Sequence, residues 1–228
     1  MAENHLGCPV VDRVTWGRVQ NPVRGVLHGS AAIFALVGLV ALLRGAHGRA
    51  EVLAGVLIFG AALTAMFAVS AMYHSIPWSA GWKRRMQRID HSLIFTVVAG
   101  TFTPLGMVVL DGGLRIAALA LVWGIALIGI ALKFLLSEEK TWLSITLQMT
   151  MGWTALIWLP WIQARFGWGA VILILAGGAC YTLGMILFAT KRPRLFPRIF
   201  SYHEVFHLLV IAGSSFHFWA IARYVTAV

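Results

Sequence analysis

Residues 51–74 read EVLAGVLIFGAALTAMFAVSAMYH, an almost wholly apolar run that opens on Glu51 and closes on Ser70, Tyr73 and His74. A helix rises about 1.5 Å per residue and the hydrocarbon core of a bilayer is about 30 Å thick, so roughly 20 such residues cross it. Lipid offers no partners for free backbone N–H and C=O groups, which makes a helix the economical way to span it. The stretch is therefore expected to be a transmembrane helix. Working outward, six further runs of this kind lie near 26–43, 91–110, 114–134, 143–162, 169–189 and 204–226. Short polar or basic segments at 44–49, 77–88, 111–113, 138–140, 163–167 and 191–198 punctuate them. The fold class expected is all-α: a polytopic membrane protein forming a seven-transmembrane helix bundle over residues 21–228. A short N-terminal segment, residues 1–20, precedes it.

Composition agrees. The 228 residues are 60% hydrophobic and only 11% charged, values that a water-soluble globular domain does not reach. The apolar runs leave no room for a separate domain of 50 or more residues. A net charge of +10 could suggest nucleic acid, but the basic residues fall between the apolar runs, where they meet anionic lipid headgroups. No nucleic-acid partner is expected. Cys8 and Cys180 fall in a polar segment and an apolar run, so they are not expected to pair. The start of the chain lacks the apolar core of a signal peptide, so the first run is expected to direct insertion, with nothing cleaved.

Alternating the loops between two sides places Arg44, Arg49, Arg115, Arg165 and Arg223 on one of them and the remaining 13 of the 18 Lys and Arg residues on the other. The positive-inside rule then puts the N-terminus in the cytoplasm and the C-terminus outside. Glycines within the runs (Gly55 and Gly60, Gly124 and Gly129, Gly177 and Gly178) permit close helix approach.

Ionisable groups inside membrane spans are costly and point to function by default. The second run ends in Ser70-Ala-Met-Tyr-His74, the third begins Asp90-His91-Ser92, and the seventh begins His203-Glu204-Val-Phe-His207. Residues four apart share a helix face, so His203 and His207 can direct both imidazoles at one ion. Such a pair also arises by chance, and His74 adds weight because the expected topology sets it at the same depth. Three neutral imidazoles fill three positions of a tetrahedral Zn2+ and leave the fourth for water, as in catalytic sites. Asp90 is the candidate proton acceptor, with an ion pair to Arg88 as the structural alternative. Ser70, one turn before His74, is a candidate donor to that water or to a developing oxyanion. His217 lies ten residues beyond His207, roughly 15 Å along the helix, too far to share the ion. His28 and His91 read as hydrogen-bonded core histidines, and Glu204 as facing away toward the KRPR loop at 191–194.

Ser70-x-x-x-His74, Asp90 with Thr103-Pro104 beyond it, and His203-x-x-x-His207 together resemble the haemolysin III branch of the progestin and adipoQ receptor family, over roughly residues 21–226. The resemblance implies seven helices, a cytoplasmic N-terminus, zinc on His74, His203 and His207, and Asp90 at the zinc-bound water. Similarity of the family to alkaline ceramidases implies a lipid amide as substrate. The bacterial members imply membrane homeostasis or haemolysis, and a bacterial plasma (inner) membrane. Those relatives commonly carry Asn a turn before the His-Gly of the first helix, where this chain has Arg24 before His28-Gly29.

The leading expectation is thus a zinc-dependent hydrolase of a membrane lipid amide or ester. The alternative is a non-enzymatic homeostasis factor or a cytolytic pore former with a structural zinc. A haem protein with paired histidines ranks third, and a retinal protein lower still, since the seventh run has no lysine.

Overall fold

The computed structural model describes residues 15–136, 141–196 and 198–227, which form helices joined by short turns, with no strand. The helices are α1 (Pro22–Gly45), α2 (Ala50–Ser75), α3 (Ala80–Val109), α4 (Gly112–Leu135), α5 (Thr141–Trp153), α6 (Ala155–Phe166), α7 (Trp168–Thr190) and α8 (Tyr202–Ala220). A π turn, Ile221–Val225, prolongs α8. Cys8, the segment 1–14 and Glu138–Lys140 lie outside the described residues.

Local sequence explains the helix ends. Pro22 opens α1, where its missing N–H is no loss. The backbone N–H of Gln20 bonds the Ser75 carbonyl at 2.9 Å, tying the chain just before α1 to the end of α2. Lys83 Nζ donates to the Tyr73 carbonyl at 2.8 Å, satisfying a carbonyl that the end of α2 leaves open.

Six helices, namely α1, α2, α3, α4, α7 and α8 with its π turn, are long and apolar enough to cross a membrane. The fifth apolar run departs from expectation. In place of one span over 143–162, α5 and α6 meet at a break on Thr154. The Thr154 hydroxyl bonds back to the Met151 carbonyl at 2.6 Å, and Ile157 N–H takes the Thr154 carbonyl in a tight three-residue step. Gly152 before the break and Pro160 within α6 lower the helical preference on both sides. The third run also differs: α3 starts at Ala80, so the basic stretch 83–88, expected as a loop, forms its first turns. At 30 residues α3 is roughly 45 Å long, more than the hydrocarbon core requires, and its first turns expose Trp82 and the basic side chains of Arg84 and Arg85.

Neighbours in sequence pack as neighbours in space from α1 to α4, α7 packs on α8, and α8 closes back on α1. Helix α3 touches α2, α4, α5, α6 and the π turn, and so occupies the middle. Half of the most apolar window of α2 and of α3 is buried, against 22% for α1 and α7. The outer helices turn Phe34, Val37, Leu127 and Ile172 outward, the distribution expected where lipid replaces water. Four of the six glycines singled out above bring a neighbour within contact of where a Cβ would stand: Gly55 (Pro104), Gly60 (Leu39), Gly129 (Phe95) and Gly177 (His217 and the Gly213 carbonyl). Gly124 and Gly178 meet nothing within 4 Å.

Candidate metal centre

The end of α2, the start of α8 and the second turn of α1 come together at one end of the bundle, beside the Asp90 turn of α3. His74, His203 and His207 there form one group, with ligand nitrogens all within 4.8 Å of one another. Their ring centroids lie 5.1 Å (His74–His203), 4.9 Å (His74–His207) and 4.9 Å (His203–His207) apart. His74 and His207 are buried and His203 is half-buried. This is the set expected from the sequence.

The donor set suits a transition metal. Two nitrogens on one zinc, each about 2.0–2.1 Å from it, are at most about 4.2 Å apart, so small ring movements bring these three into range. All three donors are imidazole nitrogens, which favours zinc or a similar ion over the oxygen-seeking Mg2+ and Ca2+. The Nδ1 atom of His207 is buried without a hydrogen-bond partner, as a nitrogen awaiting an ion or a ligand would be.

Glu204 corrects one expectation. Instead of facing the KRPR loop it is 1% exposed, and its carboxylate closes a capping box at the start of α8, accepting the Ser201 backbone N–H at 2.8 Å. Its other oxygen accepts Arg24 Nε at 2.7 Å, joining α8 to α1. Arg24, for which the sequence suggested no role, is thus a strut beside the helix that carries His203 and His207. Ser70 lies near the Asp90 carboxylate, and both line the cavity that the three histidines face. Arg88, the alternative partner for Asp90, reaches the Leu136 carbonyl at 3.4 Å.

A cavity of about 330 Å3 runs from this group into the bundle. Ser70, His74, Asp90, His203 and His207 line it at the polar end, and Met66, Val97, Phe102, Ile162 and Val210 deeper in. Its size suits a small ligand or an acyl chain. His217 also lines it, with Nε2 3.1 Å from the Ile174 carbonyl and apart from the three-histidine group.

Two polar features escaped the sequence. His28, read as an ordinary core histidine, lies with its ring centroid 3.8 Å from that of His207. Across the cavity from α8, His91 Nδ1 is 3.5 Å from Lys133 Nζ of α4, and Gln148 of α5 donates to the His91 carbonyl at 3.4 Å. Lone residues on helices far apart in sequence carry no spacing that announces such contacts.

Known proteins are similar in a consistent way. The model of the family described as "Haemolysin-III related" matches residues 16–218. Hemolysin-3 of Bacillus cereus is 28% identical over 202 residues, covering 88% of this chain and 89% of that protein. The Hemolysin-3 homolog of Bacillus subtilis (strain 168) is 29% identical over 201 residues, covering 87% and 91%. The human Monocyte to macrophage differentiation factor is 25% identical over 171 residues, covering 73% and 68%. With a family match over most of its length and six helices able to cross a bilayer, the chain is an integral membrane protein that belongs to the haemolysin-III related family.

Proposed function

We propose that this protein is a zinc-dependent hydrolase of a membrane lipid amide or ester, with seven spans, the N-terminus in the cytoplasm and the site in the cytoplasmic leaflet. The observation that carries the reading is the three-histidine group at the polar end of an otherwise apolar cavity, with a buried carboxylate on the same wall. Bound there, zinc supplies a Lewis acid for the carbonyl and an acidified water. His74, His203 and His207 would hold it, and Arg24 and Glu204 would set the rotation of α8 that aims two of them. Asp90 takes up the proton, oriented by the Ser70 hydroxyl. The apolar lining accepts an acyl chain and excludes bulk water, which strengthens the polar contacts at the reacting end. The seventh span is α5 and α6 taken together, and the side assignment rests on the unequal sharing of Lys and Arg between the two faces. Cysteines introduced one at a time at Gly113 and Arg194 of a chain lacking its native cysteines should label from outside and inside, respectively.

The decisive assay offers the purified protein a panel of lipid amides and esters. Fatty acid should be released by the wild type and not by His207→Ala; equal release from both would refute the proposal. The name of the Bacillus cereus relative favours a second reading, cytolysis by pore formation with a structural zinc. Conductance across liposomes without hydrolysis would establish that instead.

A further inference from the structure

His28 is 2% exposed, yet both of its ring nitrogens lack a hydrogen-bond partner of normal geometry. The backbone they approach is that of His207. Buried imidazole nitrogens are ordinarily bonded, and an exception calls for an explanation such as strain, a catalytic role, or a bound water or ion. The ring is held firmly, 3.8 Å from the His207 ring at a 35° tilt and edge-on to Phe67 at 5.1 Å. It lines the same cavity as His74, His203, His207 and Asp90. It is not one of the three residues whose ligand nitrogens cluster, so it stands beside the ligand set and not in it.

Two cationic side chains near the site already have partners within the protein. Arg24 Nε donates to Glu204, and Lys83 to the Tyr73 carbonyl. An ionised Asp90 only accepts. A substrate carbonyl oxygen, or a product carboxylate, needs a donor, and neutral imidazole carries one N–H.

We propose that His28 is a binding residue for the ligand of the metal centre, its imidazole donating a hydrogen bond to the carboxylate or carbonyl oxygen that occupies the position His74, His203 and His207 leave open. The inference rests on the metal reading of those three histidines. It adds to that reading a fourth histidine, from α1, whose work is to hold the ligand.

The test uses the full-length protein in detergent with cobalt(II) in place of zinc, its visible spectrum followed as sodium acetate is added. Wild type, His28→Phe and His28→Gln are compared; Phe preserves the ring packing against Phe67 and His207 while removing both nitrogens. All three should bind cobalt equally and give the same spectrum before acetate. Acetate should then bind about tenfold more weakly to His28→Phe, the loss of one hydrogen bond to a charged group. His28→Gln, which keeps a donor, should recover most of that loss. Unchanged acetate affinity in His28→Phe, an acetate-insensitive wild-type spectrum, or loss of cobalt from His28→Phe would each overturn the inference while leaving a metal centre in place. A wild type that takes up no cobalt would remove the metal reading itself, and this inference with it.

Discussion

Arg24 and Glu204, 180 positions apart, meet at 2.7 Å with side-chain exposures of only 7% and 1%. Removing one partner of a buried pair strands the other charge, which typically costs about 3–5 kcal/mol. Arg24→Met and Glu204→Gln should each therefore lower the unfolding midpoint in detergent. The double variant, with no charge stranded, should be more stable than the sum of the two losses predicts. Simple additivity would show that the contact does not couple α1 to α8.

Metal analysis addresses the ligand set directly. Wild-type protein purified without chelators should carry about one zinc per chain, as a single tetrahedral site requires. His74→Ala and His203→Ala should each lose most of it. Undiminished zinc in both would contradict the assignment.

Asp90 and Ser70 should separate binding from chemistry. If Asp90 takes the proton, Asp90→Asn should lower lipid hydrolysis by about 10²–10⁴-fold while retaining the metal. If the Ser70 hydroxyl only orients that carboxylate, Ser70→Ala should cost far less in rate. A Ser70→Ala defect as large as that of Asp90→Asn would mean that the hydroxyl contacts the substrate after all.

Two adjacent glycines in α7 offer an internal control. A Cβ on Gly177 would fall on the His217 ring and lie 3.1 Å from the Gly213 carbonyl of α8, whereas one on Gly178 meets nothing within 4 Å. Gly177→Ala should destabilise by about 1–3 kcal/mol through overpacking. Gly178→Ala should be neutral or slightly stabilising, since alanine is the better helix former. Thermal unfolding of the two variants in the same detergent would show the difference.

The three clustered histidines were legible in the sequence because their signals are local: an i, i+4 pair at the start of one apolar run and a histidine at the end of another. Once the runs are counted, alternation puts them at one depth. The break at Thr154 was not legible, since Gly152 and Thr154 sit within a run whose hydropathy fits a continuous span. The interruption is a single three-residue step, in which the Thr154 carbonyl takes the Ile157 N–H, an arrangement that a residue count does not contain. Glu204 was misplaced for a related reason. Its position on the helix said only that it diverges from His203, and its partner Arg24 became visible when α1 was packed against α8. His28 escaped because a single histidine without periodic companions looks the same whether it is structural or faces a ligand.

The break at Thr154 has a mechanical consequence. Residues on both sides of it, Met151 to Leu156, line the cavity. The three clustered histidines belong instead to α2 and α8, which are unbroken through those residues, and α2 rests on the central α3. The cavity therefore has unequal walls: one built from continuous hydrogen-bonded rods, and one jointed where the ladder is interrupted. Strain from a bulky chain lodged in the pocket would be taken up first at the joint, because bending there disturbs fewer backbone bonds than bending a rod. The histidine end of the cavity and its jointed side are thus carried by different helices.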